Sequence, residues 1–321
     1  MIPLLEIVNL KKHFKIGKNK TLHAVDGVTL TIYPNEIVGL VGESGCGKST
    51  LGRTLAGLYE KTEGKVLYKG EALPQQYSPK DFARLSSEIQ MIFQDPYSSL
   101  NPRMTVSEII AEGPKLVGLW RAEEISAKVQ MWLERVGLSA EHGSRYPHEF
   151  SGGQRQRIGI ARALAMEPKF VVCDEPISAL DVSIQAQIIN LLAELKNKFG
   201  LTLLFIAHDL SMVRYVSNRM AVMYLGSVVE LGESDEVFFN PQHPYTQLLI
   251  GSNPEPDPEK ERLRNQPPLQ GEIPTPVNLV NGCRFAGRCP KVIDRCRAET
   301  PVLREIRSGH SVACHLVPEG R

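Results

Sequence analysis

The sequence shows no marked excess of charge of either sign. It contains 37 lysines and arginines against 36 aspartates and glutamates, which gives a formal net charge of +1. A chain this close to neutrality has no overall field that would attract a polyanion such as DNA. We therefore expect no nucleic-acid partner.

Long apolar segments and a secretory signal are also missing. Residues 201–207 form one of the longest apolar stretches, and they fall far short of the roughly 20 residues that span a bilayer. Residues 1–6 lack the basic stretch, apolar run and small-residue cleavage site of a secretory signal. The expectation is a cytoplasmic protein that meets a membrane only through a partner.

Cysteine is scarce through most of the chain and then becomes frequent near its end. Two isolated cysteines, Cys46 and Cys173, are interpreted as small packing residues. In a reducing compartment, clustered cysteines indicate metal binding before they indicate disulfides. The cluster consists of Cys283, Cys289, Cys296 and Cys314.

What the sequence does contain is enough apolar material for a large core. It has 321 residues, of which 42% are hydrophobic and 23% charged. Residues 36–41 form a β-branched run that leads into a glycine-rich loop and a helical pattern, and residues 170–173 and 203–206 are further buried-strand candidates. Strands separated by helical stretches indicate an α/β fold with a mostly parallel sheet covered by helices.

The pattern changes twice along the chain. Helical periodicity between about residues 96 and 165 indicates an inserted helical subdomain. Prolines become dense from Pro241 to Pro276, which predicts that the chain leaves the main domain and runs extended over its surface. We therefore divide the chain into a main domain, residues 1–240, and a small cysteine-rich C-terminal extension, residues 241–321.

The glycine-rich loop fits the phosphate-binding pattern of glycine, four residues, glycine, lysine and serine. Its glycines let backbone N–H groups converge on phosphates, and the following helix adds a favourable dipole. Lys48 is expected to reach the β- and γ-phosphates of ATP, and Ser49 to bind Mg²⁺. The predicted nucleotide-binding residues are Gly42, Ser44, Gly45, Cys46, Gly47, Lys48, Ser49 and Thr50.

Two carboxylates follow the second strand candidate, at the place where parallel-sheet enzymes present groups to a ligand. Asp174 is expected to hold Mg²⁺. Glu175 is expected to orient or deprotonate the attacking water, because phosphoryl transfer needs a positioned nucleophile and neutralised charge.

Further segments lie in the order and spacing of the ABC ATPases, and residues 5–235 resemble that family. The resemblance implies an α/β fold: a RecA-like phosphate-loop NTPase core with an antiparallel β subdomain and the inserted helical subdomain. The segments are Phe93-Gln94-Asp95, Ser151-Gly152-Gly153-Gln154, Ser178-Ala179-Leu180-Asp181 and Ala207-His208-Asp209.

The resemblance implies a dimer that sandwiches two ATP molecules between its subunits. Each nucleotide then contacts the phosphate loop of one subunit and the signature segment, Ser151, Gly152, Gly153 and Gln154, of the other. A serine and adjacent N–H groups at a helix start suit that role because they form an anion site.

The same resemblance implies roles for four other residues. Gln94 serves Mg²⁺ and catalysis, and Asp181 belongs to a loop that crosses the dimer interface. His208 contacts the γ-phosphate or positions the water. Phe14 stacks on the adenine, a role that suits an aromatic ring because it buries a flat face without a polar partner.

The whole chain resembles the ATPases of oligopeptide and dipeptide permeases, and most of all the F-type subunit of the dipeptide importer. Residues 93–102, 224–226, 240–246 and 282–285 carry this resemblance. It implies uptake of dipeptides or oligopeptides, with importers of nickel, glutathione or antimicrobial peptides as alternatives. The implied partners are a second homologous ATPase in a heterodimer, two integral membrane permease subunits and an extracytoplasmic solute-binding protein, with this chain peripheral on the cytoplasmic side of the inner membrane.

Two other classes of ATP-binding protein fit less well. ABC-type ATPases that act on DNA or the ribosome usually carry a long coiled coil or two fused cassettes, and this sequence has neither. A regulatory module that binds ATP without hydrolysing it would be expected to have lost a catalytic residue, whereas Lys48, Asp174, Glu175 and His208 are all present.

We expect the four clustered cysteines to bind a 4Fe–4S cluster. They are separated by five, six and seventeen residues, unlike structural zinc knuckles and the short ferredoxin run. The cluster is favoured because four thiolates suffice for one cubane, because the extension is too small to form its own core, and because close relatives resemble it there.

Zinc, with His310 and His315 as spare ligands, remains the main alternative, and disulfides or free thiols are also open. Because no ATP motif lies nearby in the sequence, we expect the metal to fasten the extension rather than to take part in hydrolysis. Neighbouring arginines are expected to offset the negative charge of the cluster, namely Arg284, Arg288, Arg295 and Arg297.

Overall fold

The computed structural model describes residues 2–178, 180–252, 274–279 and 281–318. The strands in these ranges are β1 (Leu5–Gly17), β2 (Lys20–Ile32), β3 (Ile37–Val41), β4 (Glu63–Tyr68), β5 (Glu71–Ala72), β6 (Ile89–Ile92), β7 (Phe170–Asp174), β8 (Thr202–Ile206), β9 (Arg219–Tyr224), β10 (Ser227–Glu233), β11 (Arg304–Arg307) and β12 (His310–Val312). They form a four-stranded sheet, in the order β2-β1-β4-β5, and an eight-stranded sheet, in the order β11-β12-β10-β9-β3-β8-β7-β6.

Helices cover the larger sheet and fill the region between β6 and β7. They are α1 (Lys48–Leu55), α2 (Pro79–Leu85), α3 (Pro96–Ser99), α4 (Val106–Leu116), α5 (Ile125–Arg135), α6 (Gly152–Leu164), α7 (Val182–Phe199), α8 (Leu210–Val216), α9 (Ser234–Phe239), α10 (Pro244–Gly251) and α11 (Asp294–Ala298). Within the described ranges, no helix has the length and apolar character needed to cross a membrane.

The centre of the large sheet is parallel and positions the site. Strands β6, β7, β8, β3 and β9 pair in parallel, and every residue of β3, β7 and β8 is buried. Strands buried on both faces are continuous apolar runs, which explains why they are visible in the sequence. Because the carboxyl ends of parallel strands share one edge, the loops after these strands converge there. The α/β cassette with an antiparallel subdomain and a helical part, expected from the sequence, is confirmed.

The end of the chain continues the large sheet. Strand β12 pairs with β10 through Glu230 opposite Val312 and Leu231 opposite Ser311. The Glu230 carboxylate is fully buried and accepts a hydrogen bond from Nε2 of His310 at 2.8 Å, as well as two from backbone N–H groups. A buried carboxylate with three donors fixes the position of the hairpin, because any shift would leave the charge unpaired.

The prediction that the chain runs extended from Pro241 is wrong for Pro244–Gly251, which form α10. Pro244 occupies the first helical turn, where its missing N–H costs nothing, and Nδ1 of His243 accepts a hydrogen bond from the Tyr245 amide at 3.0 Å. The proline-rich stretch at 253–273 lies outside the described residues.

Candidate nucleotide-binding site

The phosphate loop, residues 42–49, joins β3 to α1. Gly47 has a φ of 106°, and a Cβ there would lie 2.0 Å from the Ala24 carbonyl oxygen, so only glycine fits. The buried Nζ of Lys48 lies across the loop and donates to the carbonyl oxygens of Gly42 and Glu43, at 2.7 and 3.0 Å. Helix α1 begins without a side-chain cap, which leaves N–H groups at its start for an anion.

Asp174 lies at the end of β7, against the start of α1. Its Oδ1 accepts a hydrogen bond from Oγ of Ser49 at 2.6 Å, whereas its buried Oδ2 has no hydrogen-bond partner. Burial raises the pKa of Asp174, although the Ser49 hydroxyl and the Arg53 guanidinium, 3.7 Å away, act in the opposite direction. A hydroxyl and an unsatisfied carboxylate oxygen side by side are the donors that Mg²⁺ prefers.

Glu175 is held in an unusual backbone conformation at the same edge. Its φ is 45°, and its N–H donates to the Ile206 carbonyl of the neighbouring strand at 3.0 Å. Nε2 of Gln94 donates to Oε2 of Glu175 at 2.8 Å. Non-glycine residues with positive φ persist where the surroundings impose them, and they concentrate at functional sites.

His208 and Glu175 line one small cavity of about 40 Å³. His208 follows β8 and is exposed. The volume is large enough for a water molecule. The structure thus brings together Glu175 and His208, the two residues that were expected from the sequence to position the attacking water.

The signature segment, residues 151–154, caps helix α6. Oγ of Ser151 accepts a hydrogen bond from the Gln154 N–H at 3.3 Å, and Oε1 of Gln154 accepts one from the Ser151 N–H at 3.0 Å. Ser151 and Gly152 are exposed. Among the hydrogen bonds of the described residues, none joins this segment to the phosphate loop of the same chain.

Two further candidate residues lie at the surface. Asp181 is exposed and precedes α7, whose first residue, Val182, is 81% exposed; Ala179 of the same loop lies outside the described residues. Phe14 is partly exposed on β1, edge-on to Tyr59 at 5.4 Å. Lys12 lies over its ring, with Nζ 4.7 Å from the centroid.

The four C-terminal cysteines face a common region. The Cys283 amide donates to the Cys296 carbonyl at 2.7 Å, and Cys296 and Cys314 are buried. Burial raises the pKa of Cys283 to about 11, and the other three thiols contribute to this shift. None of the six cysteines, all of which lie in the described part of the chain, forms a disulfide bond.

No ATP motif lies near these cysteines in the sequence, but the fold brings the residue next to Cys289 into contact with the phosphate loop. Arg288, next to Cys289, donates to both carboxylate oxygens of Glu43 inside the phosphate loop, at 2.7 and 2.9 Å. Sequence analysis missed this contact because 245 residues separate the two side chains. Three of the arginines that were expected to offset the charge of the cluster form ion pairs with carboxylates instead: Arg284 with Asp26, Arg288 with Glu43 and Arg295 with Glu299.

The two spare histidines also have other partners. His310 is bound to the buried Glu230, and Nε2 of His315 lies 3.0 Å from the Glu299 carbonyl oxygen. Sequence analysis also missed two neighbours of the nucleotide site. Arg53 lies 3.7 Å from Asp174, and the Tyr245 hydroxyl accepts a hydrogen bond from the Glu43 amide at 2.9 Å.

Comparison with known proteins agrees with this geometry. Residues 25–178 match the family model described as ABC transporter, and residues 229–296 match the one described as oligopeptide/dipeptide transporter, C-terminal region. The chain is 56% identical over 316 residues to the putative oligopeptide transport ATP-binding protein YkfD of Bacillus subtilis (strain 168), covering 98% of this chain and 96% of that protein. It is 52% identical over 324 residues to the oligopeptide transport ATP-binding protein OppF of Escherichia coli (strain K12), covering 97% and 95%.

Among solved structures, the dimeric post-hydrolysis state of the ATP-binding cassette MJ0796 bound to ADP and Pi has a TM-score of 0.66 and 28% identity, and the match covers 72% of this chain and 98% of that chain. Similarly, cbiO1 from Clostridium perfringens, part of the ABC transporter complex cbiONQ, has a TM-score of 0.65 and 30% identity, covering 75% and 92%.

Proposed function

Because this chain belongs to the ABC transporter ATP-binding proteins of the oligopeptide/dipeptide permease family, we propose that it hydrolyses ATP to drive peptide import. The observation that carries this function is the convergence of Lys48, the Ser49–Asp174 pair and the Gln94–Glu175 pair at one edge of the sheet. The finer assignment is an F-type subunit that serves dipeptides or oligopeptides. Nickel, glutathione and antimicrobial peptides remain alternative cargoes, because the ATPase does not need to touch the solute.

In this proposal, each site residue has one task. Asp174 and Ser49 hold Mg²⁺, which when bound neutralises charge on the β- and γ-phosphates. Lys48 exchanges its two carbonyl partners for phosphate oxygens. Glu175, oriented by Gln94, accepts the proton of the water in the cavity that it shares with His208.

The second half of the nucleotide site is proposed to come from another subunit. Ser151 and Gly152 are exposed at the start of α6 and make no hydrogen bond to the phosphate loop among those described. The exposed Asp181 lies in the loop proposed to cross the interface, and the exposed Val182 begins the helix that follows. The solved relative bound to ADP and Pi is a dimer, which supports this arrangement. For this chain the expected partner is a homologous ATPase.

A groove of about 500 Å³ is the proposed docking place for a permease subunit. It runs between α2 and α4 and is lined by Phe82, Phe93 and Met166, with Leu116, 81% exposed, at its edge. An apolar groove of this kind fits an amphipathic helix. Two permease subunits and an extracytoplasmic solute-binding protein complete the proposed importer, with this chain on the cytoplasmic side of the inner membrane.

The C-terminal cysteines are proposed to hold a 4Fe–4S cluster, with zinc as the alternative. The electrostatic influence of the other three thiols on Cys283 supports a shared site. A tetrahedral zinc site, with Zn–S bonds of about 2.3 Å, needs sulfurs about 3.8 Å apart. In the described part of the chain, no three of these sulfurs lie within 4.8 Å of one another. The cluster would then tie Cys283, Cys289, Cys296 and Cys314 together.

The test of the shared site is the dependence of hydrolysis on assembly. The isolated chain should hydrolyse ATP slowly, and the rate per chain should rise when the partner ATPase and permeases are added. A Ser151→Ala variant should lower the rate of the assembled transporter while ATP binding to the isolated chain is retained. A rate for the isolated chain that equals that of the full complex and does not depend on protein concentration would contradict the proposal.

A further inference from the structure

Glu43, the second residue of the phosphate loop, is held at all three of its polar groups. Its carboxylate accepts two hydrogen bonds from Arg288, its N–H donates to the Tyr245 hydroxyl at 2.9 Å, and its carbonyl accepts from Nζ of Lys48 at 3.0 Å. Two of these partners, Tyr245 and Arg288, lie beyond residue 240. The C-terminal part of the chain therefore supplies the partners of both the carboxylate and the N–H of Glu43.

The Arg288–Glu43 pair is well shielded from solvent. The two side chains are 6% and 14% exposed, and the guanidinium engages both carboxylate oxygens. Glu43 raises the pKa of Arg288 above its ordinary value. A two-point charged contact of this kind fixes direction as well as distance, and salt screens it less than a surface pair.

A second link joins the cysteine loop, residues 283–289, to the phosphate loop. Arg284 donates to the carbonyl oxygen of Leu225. The next residue, Gly226, donates its N–H to the Cys46 carbonyl oxygen at 2.8 Å. Near one end of the cysteine loop, Arg288 contacts the phosphate loop directly. Near the other end, Arg284 is linked to it through the turn at Leu225 and Gly226.

Three packed aromatic rings support these contacts. The rings of Tyr224, Tyr245 and Phe285 are almost fully buried, with centroids 4.6 to 5.4 Å apart. Aromatic rings at these distances interlock and restrict one another. Arg288 and the Tyr245 hydroxyl therefore present fixed groups to Glu43.

We propose that Arg288 is a positioning residue for nucleotide binding. By fixing Glu43, it holds the phosphate loop in the conformation that receives the phosphates, so that the C-terminal extension sets the affinity for ATP. This inference rests on the proposed phosphate-binding role of the loop. It assigns Arg288 no part in the chemical step, because Arg288 contacts neither Asp174 nor Glu175 in the described structure.

The test measures equilibrium binding of a fluorescent ATP analogue to the full-length chain. Arg288→Gln and Glu43→Gln should each weaken binding about tenfold, a typical coupling between two sites. The double variant should be no worse than either single variant, because both remove the same contact. Arg288→Lys should bind nucleotide more tightly than Arg288→Gln but less tightly than the wild type, since lysine keeps the positive charge and cannot make the two-point contact with the carboxylate. In the assembled transporter, Arg288→Gln should raise KM and leave kcat nearly unchanged.

Two controls separate the possible outcomes. Arg307→Gln removes another arginine of the extension, which pairs with Glu236 at the surface, and should bind nucleotide like the wild type. Lys48→Ala should lose nucleotide binding; if it does not, the proposed role of the loop fails. If Lys48→Ala loses binding while a folded Arg288→Gln variant binds normally, or if the Arg288 and Glu43 losses add, the positioning role of Arg288 is refuted.

Discussion

Replacing Asp174 by asparagine should make the nucleotide-free protein more stable while removing its response to Mg²⁺. The Asp174 side chain is fully buried, and Oδ2 has no hydrogen-bond partner. Asparagine keeps the shape and can still accept the hydrogen bond from Ser49 through its carbonyl oxygen. The substitution therefore removes a buried charge with little change in packing.

The raised pKa of Asp174 sets the sign of this effect. A carboxyl whose pKa is higher in the folded state binds more protons when folded, so its contribution to stability falls as pH rises through that pKa. At pH 7.5 the ionised carboxylate is a net cost in the absence of metal. A buried acceptor without a partner, such as Oδ2, costs about 1–3 kcal/mol, and the asparagine N–H₂ group will itself be poorly satisfied, so we expect a net gain of about 1 kcal/mol. For a chain of this size that is about 2 °C in Tm.

The assay is thermal unfolding in three conditions: EDTA alone, ATP with EDTA, and ATP with Mg²⁺. Nucleotide at a hundred times its Kd stabilises a protein by about 2.7 kcal/mol, and the Mg²⁺-dependent part of that gain should disappear in the Asp174→Asn variant. Asp209→Asn is a matched control, because this residue caps α8 at the same edge of the sheet and the amide oxygen preserves the cap. A lower Tm for Asp174→Asn in EDTA would refute the charge argument. An unchanged Mg²⁺ response would remove Asp174 from the metal site.

Three further predictions concern catalysis, docking and the cysteines. Glu175→Gln should abolish steady-state hydrolysis in the assembled transporter and preserve ATP binding, because the amide cannot accept the proton of the water; substantial turnover would contradict the role of Glu175. Leu116→Asp should prevent copurification with the permease subunits without weakening ATP binding, whereas Val302→Asp, at a residue of similar exposure, should have no effect; assembly of the Leu116 variant would argue against the groove. Anaerobic purification should give a brown protein with about four irons per chain that Cys289→Ser bleaches, and a colourless protein with stoichiometric zinc would favour zinc instead.

The fold and the nucleotide motifs were predictable because their signals are local. The strands β3, β7 and β8 are buried on both faces and therefore form continuous apolar runs. The phosphate loop needs glycines at fixed offsets, since Gly47 has a positive φ and a Cβ there would collide with the Ala24 carbonyl oxygen. The glycine spacing and the apolar runs each lie within one short segment, so a single sequence displays them.

The helix after Pro241 shows where local signals mislead. Dense prolines suggested an extended chain, but Pro244 starts α10 because a helix tolerates proline in its first turn. The capping box of Ser151 and Gln154 shows a local signal that does predict the structure, because its spacing is visible in the sequence. The serine therefore has a structural role at the start of α6, in addition to its proposed role toward a partner's nucleotide.

The sequence by itself determined the class of fold, the phosphate loop and the two acidic residues at the end of β7, Asp174 and Glu175. Only the tertiary structure decided where the end of the chain lies: β12 joins the large sheet, and Arg288 reaches Glu43 across 245 residues. The physical reason is that ion pairs and edge-strand pairing depend on how distant segments pack, and they leave no periodic or spaced pattern in the sequence. The cysteines could be recognised from sequence as a group, but the contact of the neighbouring Arg288 with the phosphate loop could not.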